Sequence, residues 1–176
     1  MKSLFKIALV ISTLVFVAAC SSKTSGWKRL SDSEIDQKSY AIAYGATGQT
    51  YADRVNESYD IDSFMHGVDD WFNKKVTLPI EQIRASLLNR MLDHNVYAYY
   101  SGVLYAADLQ ANFNRLSPTC WSMVQAPSIT QGIHDAMLDL QANKVRHDKY
   151  IQEGADQILH LCVEQMEKET PKTKKK

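Results

Sequence analysis

The stretch Pro79-Ile80-Glu81-Gln82-Ile83-Arg84-Ala85-Ser86-Leu87-Leu88-Asn89-Arg90-Met91 opens the longest unbroken pattern in the chain. Apolar side chains recur at Ile80, Ile83, Leu87 and Met91 and on to Leu104, the three-to-four spacing of a helix face. Thr77 and Pro79 mark its start, because proline is tolerated in a first turn where its missing donor would be unpaired anyway. No strong breaker follows before Pro118, so one helix of roughly 55 Å is predicted, with a bend at His94-Asn95 as the alternative.

The same reading extends outward. Ser31-Asp32-Ser33-Glu34 has capping-box spacing and predicts a helix to about Val55. Gly45 and Gly48 inside it suggest close helix approach, since each costs about 1 kcal/mol against alanine. Asp62 is expected to cap a short helix carrying Phe64, Val68 and Trp71 on one stripe. Ser128-Ile129-Thr130-Gln131 is a second capping box, and Asp148 is the expected cap of the last helix. No convincing period-two strand is present. The expected fold is all-α: a bundle of about five helices with one long central helix and one disulfide.

The first twenty residues stand apart. Lys2 and Lys6 precede an apolar run, Ile7 to Ala18, too short to span a bilayer core of roughly 30 Å. It ends in Val17-Ala18-Ala19-Cys20, which resembles the lipobox of bacterial lipoproteins at every position. That resemblance implies cleavage before Cys20, a diacylglyceryl thioether on its sulfur and an acylated (palmitate-type) N-terminus. Ser21 follows, with no aspartate there, which in lipoproteins of Gram-negative bacteria implies sorting to the outer membrane. The body is then expected to face the periplasm. The organisation is 1–19 signal peptide, 20–30 lipidated tether, 31–92 and 93–169 helical regions, and 170–176 a basic tail.

Composition excludes several classes. Of 176 residues, 20 are basic and 20 acidic, so the basic excess of a nucleic-acid binder is missing. Without Lys2 and Lys6 the chain is slightly acidic, and four of its remaining cations crowd into the final Lys172–Lys176 segment. That tail reads as a solvated end, or as a weak attractor of anionic surfaces. With Cys20 assigned to lipid, Cys120 and Cys162 remain. In an oxidising compartment they form the one available intramolecular disulfide; the alternative is two reduced thiols.

Catalytic motifs are missing. His66, His94, His134, His147 and His160 show no metal-ligand spacing. Gly45-Ala46-Thr47-Gly48-Gln49-Thr50 lacks the lysine of a phosphate loop. Asp60, Asp62, Asp69 and Asp70 are explained by capping and helix-dipole compensation. No enzyme activity, cofactor, metal or nucleic acid is expected. Aromatic residues are the remaining signal, and they can line a core or a contact surface. Tyr44, Tyr51, Phe64, Trp71, Tyr97, Tyr100 and Trp121 are the candidate interaction residues.

Two further resemblances bear on partners. Gln37 to Arg90, with Tyr40-Ala41-Ile42-Ala43-Tyr44-Gly45 and Asp62-Ser63-Phe64-Met65, resembles the N-terminal helical domain of bacterial FKBP-type peptidyl-prolyl isomerases. The isomerase domain itself has no counterpart, so the resemblance implies a homodimer and chaperone-like binding without isomerase activity. Tyr97 to Val163, with Tyr100-Ser101-Gly102-Val103-Leu104, Cys120 and Leu161-Cys162, more loosely resembles the Rap and Tai immunity proteins that block type VI-secreted cell-wall amidases. The expected function is therefore non-catalytic binding of a periplasmic or outer-membrane protein. Amidase immunity and a pilotin-like assembly role are the alternatives.

Overall fold

The computed structural model describes residues 28–88 and 91–169. The lipobox with Cys20 and the lysine-rich tail lie outside the described residues. Six α-helices follow in order, with no strand among the described residues: α1 (Gln37–Tyr51), α2 (Ile61–Phe72), α3 (Ile80–Ser86), α4 (His94–Leu116), α5 (Ala126–Gln141) and α6 (Lys149–Glu169). A short 3-10 turn, Cys120–Met123, precedes α5. The disulfide between Cys120 and Cys162 is present, with Cα atoms 5.2 Å apart, and fastens that turn to α6.

The long central helix is interrupted. α3 stops at Ser86, and the Leu88 amide falls back to the Ala85 carbonyl at 3.2 Å. Asp93 is extended before α4 begins. The physical reason is packing. Ile83 is buried with Val103 and Leu104. On one straight helix Ile83 and Val103 would stand about 30 Å apart. Folding α3 back onto α4 joins them, and Arg84 reaches Asp108 at 3.2 Å across the same seam.

Other boundaries are set by tertiary partners. The Ser31–Glu34 box forms, with the Ser31 amide donating to Glu34 Oε2 at 2.9 Å, but it closes only a turn. Asp36 caps α1 instead, accepting from the Ser39 amide at 2.9 Å. Asp60, one residue before Ile61, caps α2 in place of Asp62. Ser128 lies inside α5, where its hydroxyl accepts from the Asp36 amide at 2.9 Å. Ser39 Oγ accepts from the Gln125 amide at 2.9 Å, so the starts of α1 and α5 satisfy each other's orphan donors. Asp148 caps α6 as expected, accepting from the Ile151 amide at 3.0 Å.

α1 runs parallel to α5 and antiparallel to α6, while α2 lies against α4. One core draws on both sequence regions: Phe64 and Val68 from α2, Tyr105 and Leu109 from α4, Ile133 and Met137 from α5. The helices through which the isomerase resemblance implies dimerisation, α1 and α2, are thus covered by α4, α5 and α6 of their own chain. The close approaches are also elsewhere than Gly45 and Gly48. A Cβ on Gly67 would stand 2.1 Å from the Tyr99 carbonyl oxygen, and one on Gly102 2.0 Å from that of Phe64. At Gly45 the nearest atom is a side-chain methyl at 3.6 Å.

Candidate functional site

Three of the aromatic residues singled out as contact candidates belong to the core. Tyr44, Tyr51 and Phe64 are buried, with Phe64 wholly enclosed, so none can meet a partner in this fold. Their size is the reason: Tyr51 stacks edge-on to Phe64 and Tyr105 at 5.1 and 5.3 Å, filling the junction of α1, α2 and α4. Trp71 and Trp121 are half-buried. The Trp71 indole donates to Gln110 at 3.0 Å, and Trp121 stacks on Phe72 at 5.3 Å. Tyr100 is half-buried beside Tyr99. Of these candidates only Tyr97, 47% exposed, stands at the surface.

Tyr97 marks one pole of the bundle. Here the end of α1 and the loop after it (Arg54 to Asp60) face the α3–α4 link and the first turn of α4. Between them lies an open groove of about 630 Å³, lined by Arg54, Tyr59, Leu87, Leu92, His94 and Tyr97. Arg54 sits over the Tyr51 ring, 5.7 Å from its centre. The shielded Tyr59 hydroxyl makes no hydrogen bond of ordinary geometry. Burial pushes its phenol well above the usual range, with Ser101 a weaker opposing neighbour. Beside the groove two apolar side chains project outward: Leu88 is 83% exposed and Met91 88%. At Leu88 this forgoes the ~1.5–3 kcal/mol that burial of such a side chain contributes. Isolated surface leucines are ordinary; exposed apolar side chains next to a groove and a surface tyrosine make this pole the candidate contact site.

Sequence reasoning missed Leu87, Leu88, Met91 and Leu92 because their spacing also suits the face of a continuous helix. The available signal was Asp93-His94-Asn95, a run of residue types that favour caps over helix interiors.

A second cluster joins α1, α5 and the chain before α6. Arg146 lies 4.5 Å over the Tyr44 ring, donates to Tyr40 Oη at 2.6 Å and approaches Asp139 at 3.6 Å. Tyr44 donates to Asp139 at 2.7 Å and Tyr40 to Asp135 at 3.1 Å. Arg29 completes the set with paired contacts to Asp135 at 2.9 and 3.2 Å, while the Leu30 amide donates to Gln131 at 2.7 Å. Burial works to raise the Asp135 pKa, yet hydrogen bonds from His134, Arg29 and Tyr40 hold it below the usual carboxylate range. These groups satisfy one another, so the cluster is a brace: it straps the N-terminal segment to α5 and holds the loop before α6. Among the described residues no group of His, Cys, Asp and Glu could hold a metal ion, and no helix is long and apolar enough to cross a membrane.

Residues 33–164 match the model of a family described as an uncharacterised lipoprotein. The chain belongs to this lipoprotein family. A protein of Haemophilus influenzae, described as uncharacterized, is 44% identical over 171 residues, covering 89% of this chain and 96% of its own length. No solved structure matches. Family membership makes this a membrane-anchored lipoprotein; the isomerase and immunity resemblances gain no support from these matches.

Proposed function

We propose that this lipoprotein is anchored through Cys20 to the outer membrane, faces the periplasm, and acts without catalysis as a protein-binding module. The partner docks at the pole formed by the α1–α2 loop and the α3–α4 link. The observation that carries this reading is the exposure of Leu88 and Met91 beside a groove that sets Leu87, Leu92 and Tyr97 among Arg54, Asp60 and His94, a surface with apolar contact area and polar groups to orient a partner. Methionine and leucine knobs of this kind adapt to a partner's shape. Homodimerisation through α1 and α2 is no part of the reading, because those helices are covered within the chain.

A photo-crosslinking residue placed at Met91 in cells tests it, with Gln157 on the outer face of α6 as control. The expected result is a discrete adduct from position 91, weakened by Tyr97→Ala and lacking at 157. No adduct at 91, or equal adducts at both sites, refutes the docking pole. The captured protein then assigns the role: a cell-wall amidase means immunity, a secretin an assembly factor, and many unfolded clients a chaperone.

A further inference from the structure

The N-terminal strap lies along one face of α5. The Leu30 amide donates to Gln131 at 2.7 Å, and the Arg29 guanidinium grips Asp135 one turn further on. Leu138 is next on that face, by the i, i+4, i+7 spacing, and it is 42% exposed. Tyr150, in the first turn of α6, is 41% exposed. Both line a recess of about 580 Å³ bounded by α5, Tyr40 of α1 and Arg146. Of the charged groups in its wall, Arg29 pairs with Asp135 and Arg146 with Asp139, which leaves the carboxylate of Asp32. Two exposed apolar side chains and one spare acceptor suit a neutral aromatic ring with a donor at its edge.

The chain itself supplies such a ring. Trp27 lies outside the described residues, directly before Lys28, and is the only large apolar residue between Cys20 and Leu30. The three-residue step from Leu30 back to Trp27 covers up to about 10 Å, and Leu138 lies about 10 Å beyond Gln131 along α5. The strap therefore ends within reach of the recess. We propose that the occupant of this recess is Trp27 of the same chain, its ring laid on Leu138 and Tyr150 and its indole N–H directed to Asp32. The seat is independent of what docks at the Tyr97 pole. Its consequence rests on the lipid anchor: with Cys20 lipidated, only Ser21 to Gly26 then separate the lipid from the body. The corner between α5 and the start of α6 becomes the side held toward the bilayer.

The test uses the full chain in detergent and in phosphatidylcholine vesicles. Subtracting the emission of Trp27→Phe from that of wild type isolates Trp27 from Trp71 and Trp121. The expected difference spectrum is blue-shifted and shielded from iodide in both media, at every protein concentration. Leu138→Ser and Tyr150→Ser each shift it to the red and raise the iodide quenching constant several-fold. Both positions are exposed, and circular dichroism verifies that the variants are folded. Hydrogen exchange at the Leu30 amide gives a second readout, expected to speed up about tenfold or more in Trp27→Ser. A wild-type Trp27 open to iodide, shielding that survives both serine variants, or unchanged Leu30 exchange overturns the proposal. So does quenching by brominated lipid, which makes the bilayer the occupant, or shielding that fades on dilution, which makes it a second copy.

Discussion

Gly102→Ala and Gly45→Ala are the same chemical change in two helices, and the structure assigns them opposite outcomes. Each gains about 1 kcal/mol of helix propensity. At Gly45 the new methyl would meet the Ile151 side chain at 3.6 Å, ordinary contact, so the gain survives. At Gly102 it would stand 2.0 Å from the Phe64 carbonyl oxygen and 2.8 Å from its carbon, both backbone. α2 and α4 must then separate by about 1 Å, and a gap of that size forfeits a quarter to half of the contact energy along the seam. Phe64, Met65, Val68 and Leu109 lie in that core, each contributing ~1.5–3 kcal/mol by burial. The net cost for Gly102→Ala is about 2–3 kcal/mol, or a Tm lower by roughly 5–10 °C. Gly45→Ala is expected to raise Tm by about 2–4 °C. Thermal melts followed at 222 nm decide it: shifts of the same sign, or an unchanged Gly102→Ala, would show that the α2–α4 crossing is not backbone-tight.

Two further outcomes follow from the disulfide and the tyrosines. Cys120→Ser opens a loop of 42 residues' separation and should cost about 4 kcal/mol in the chain-entropy model, read as a lower denaturant midpoint under non-reducing conditions. An unchanged midpoint would remove the bond's stabilising role. Burial raises the phenols of Tyr40, Tyr51, Tyr59 and Tyr105 well above 10, and burial with Asp70 pushes Tyr99 up to about 12. Because the folded values are raised, this stability is complete below pH 10 and is lost as pH climbs through 10 to 12 and beyond. Absorbance of tyrosinate and loss of helix should therefore rise together in alkali; tyrosines that ionise near pH 10 with helix intact would contradict their burial.

The α-helical class was legible because local spacing carries it. The stripe of α2 and the Asp148 cap of α6 were readable for the same reason: each is decided within one or two turns. What escaped sequence reading depends on distant partners. α3 and α4 separate so that Ile83 can reach Val103, twenty positions away. Ser128 looked like a helix cap, yet its hydroxyl serves the start of α1, ninety-two positions earlier. The contact candidates were chosen by residue type, and type does not distinguish Phe64, wholly enclosed, from Tyr97 at the surface. Leu88 and Met91 were hidden by a spacing that suited a helix the chain does not make.

The Arg29 and Leu30 contacts with α5 decide how freely such a body can wander from its bilayer. With the lipid at Cys20, only seven residues lie between the sulfur-bearing residue and Lys28, a leash of under about 30 Å at full stretch. Along α1, Tyr40 beside the strap and Tyr51 beside the pole are roughly 16 Å apart. On the function proposed above, the docking surface would be confined to a thin layer next to the membrane. A binding partner embedded in the same sheet would meet it at high effective concentration, and one diffusing freely through the periplasm would not.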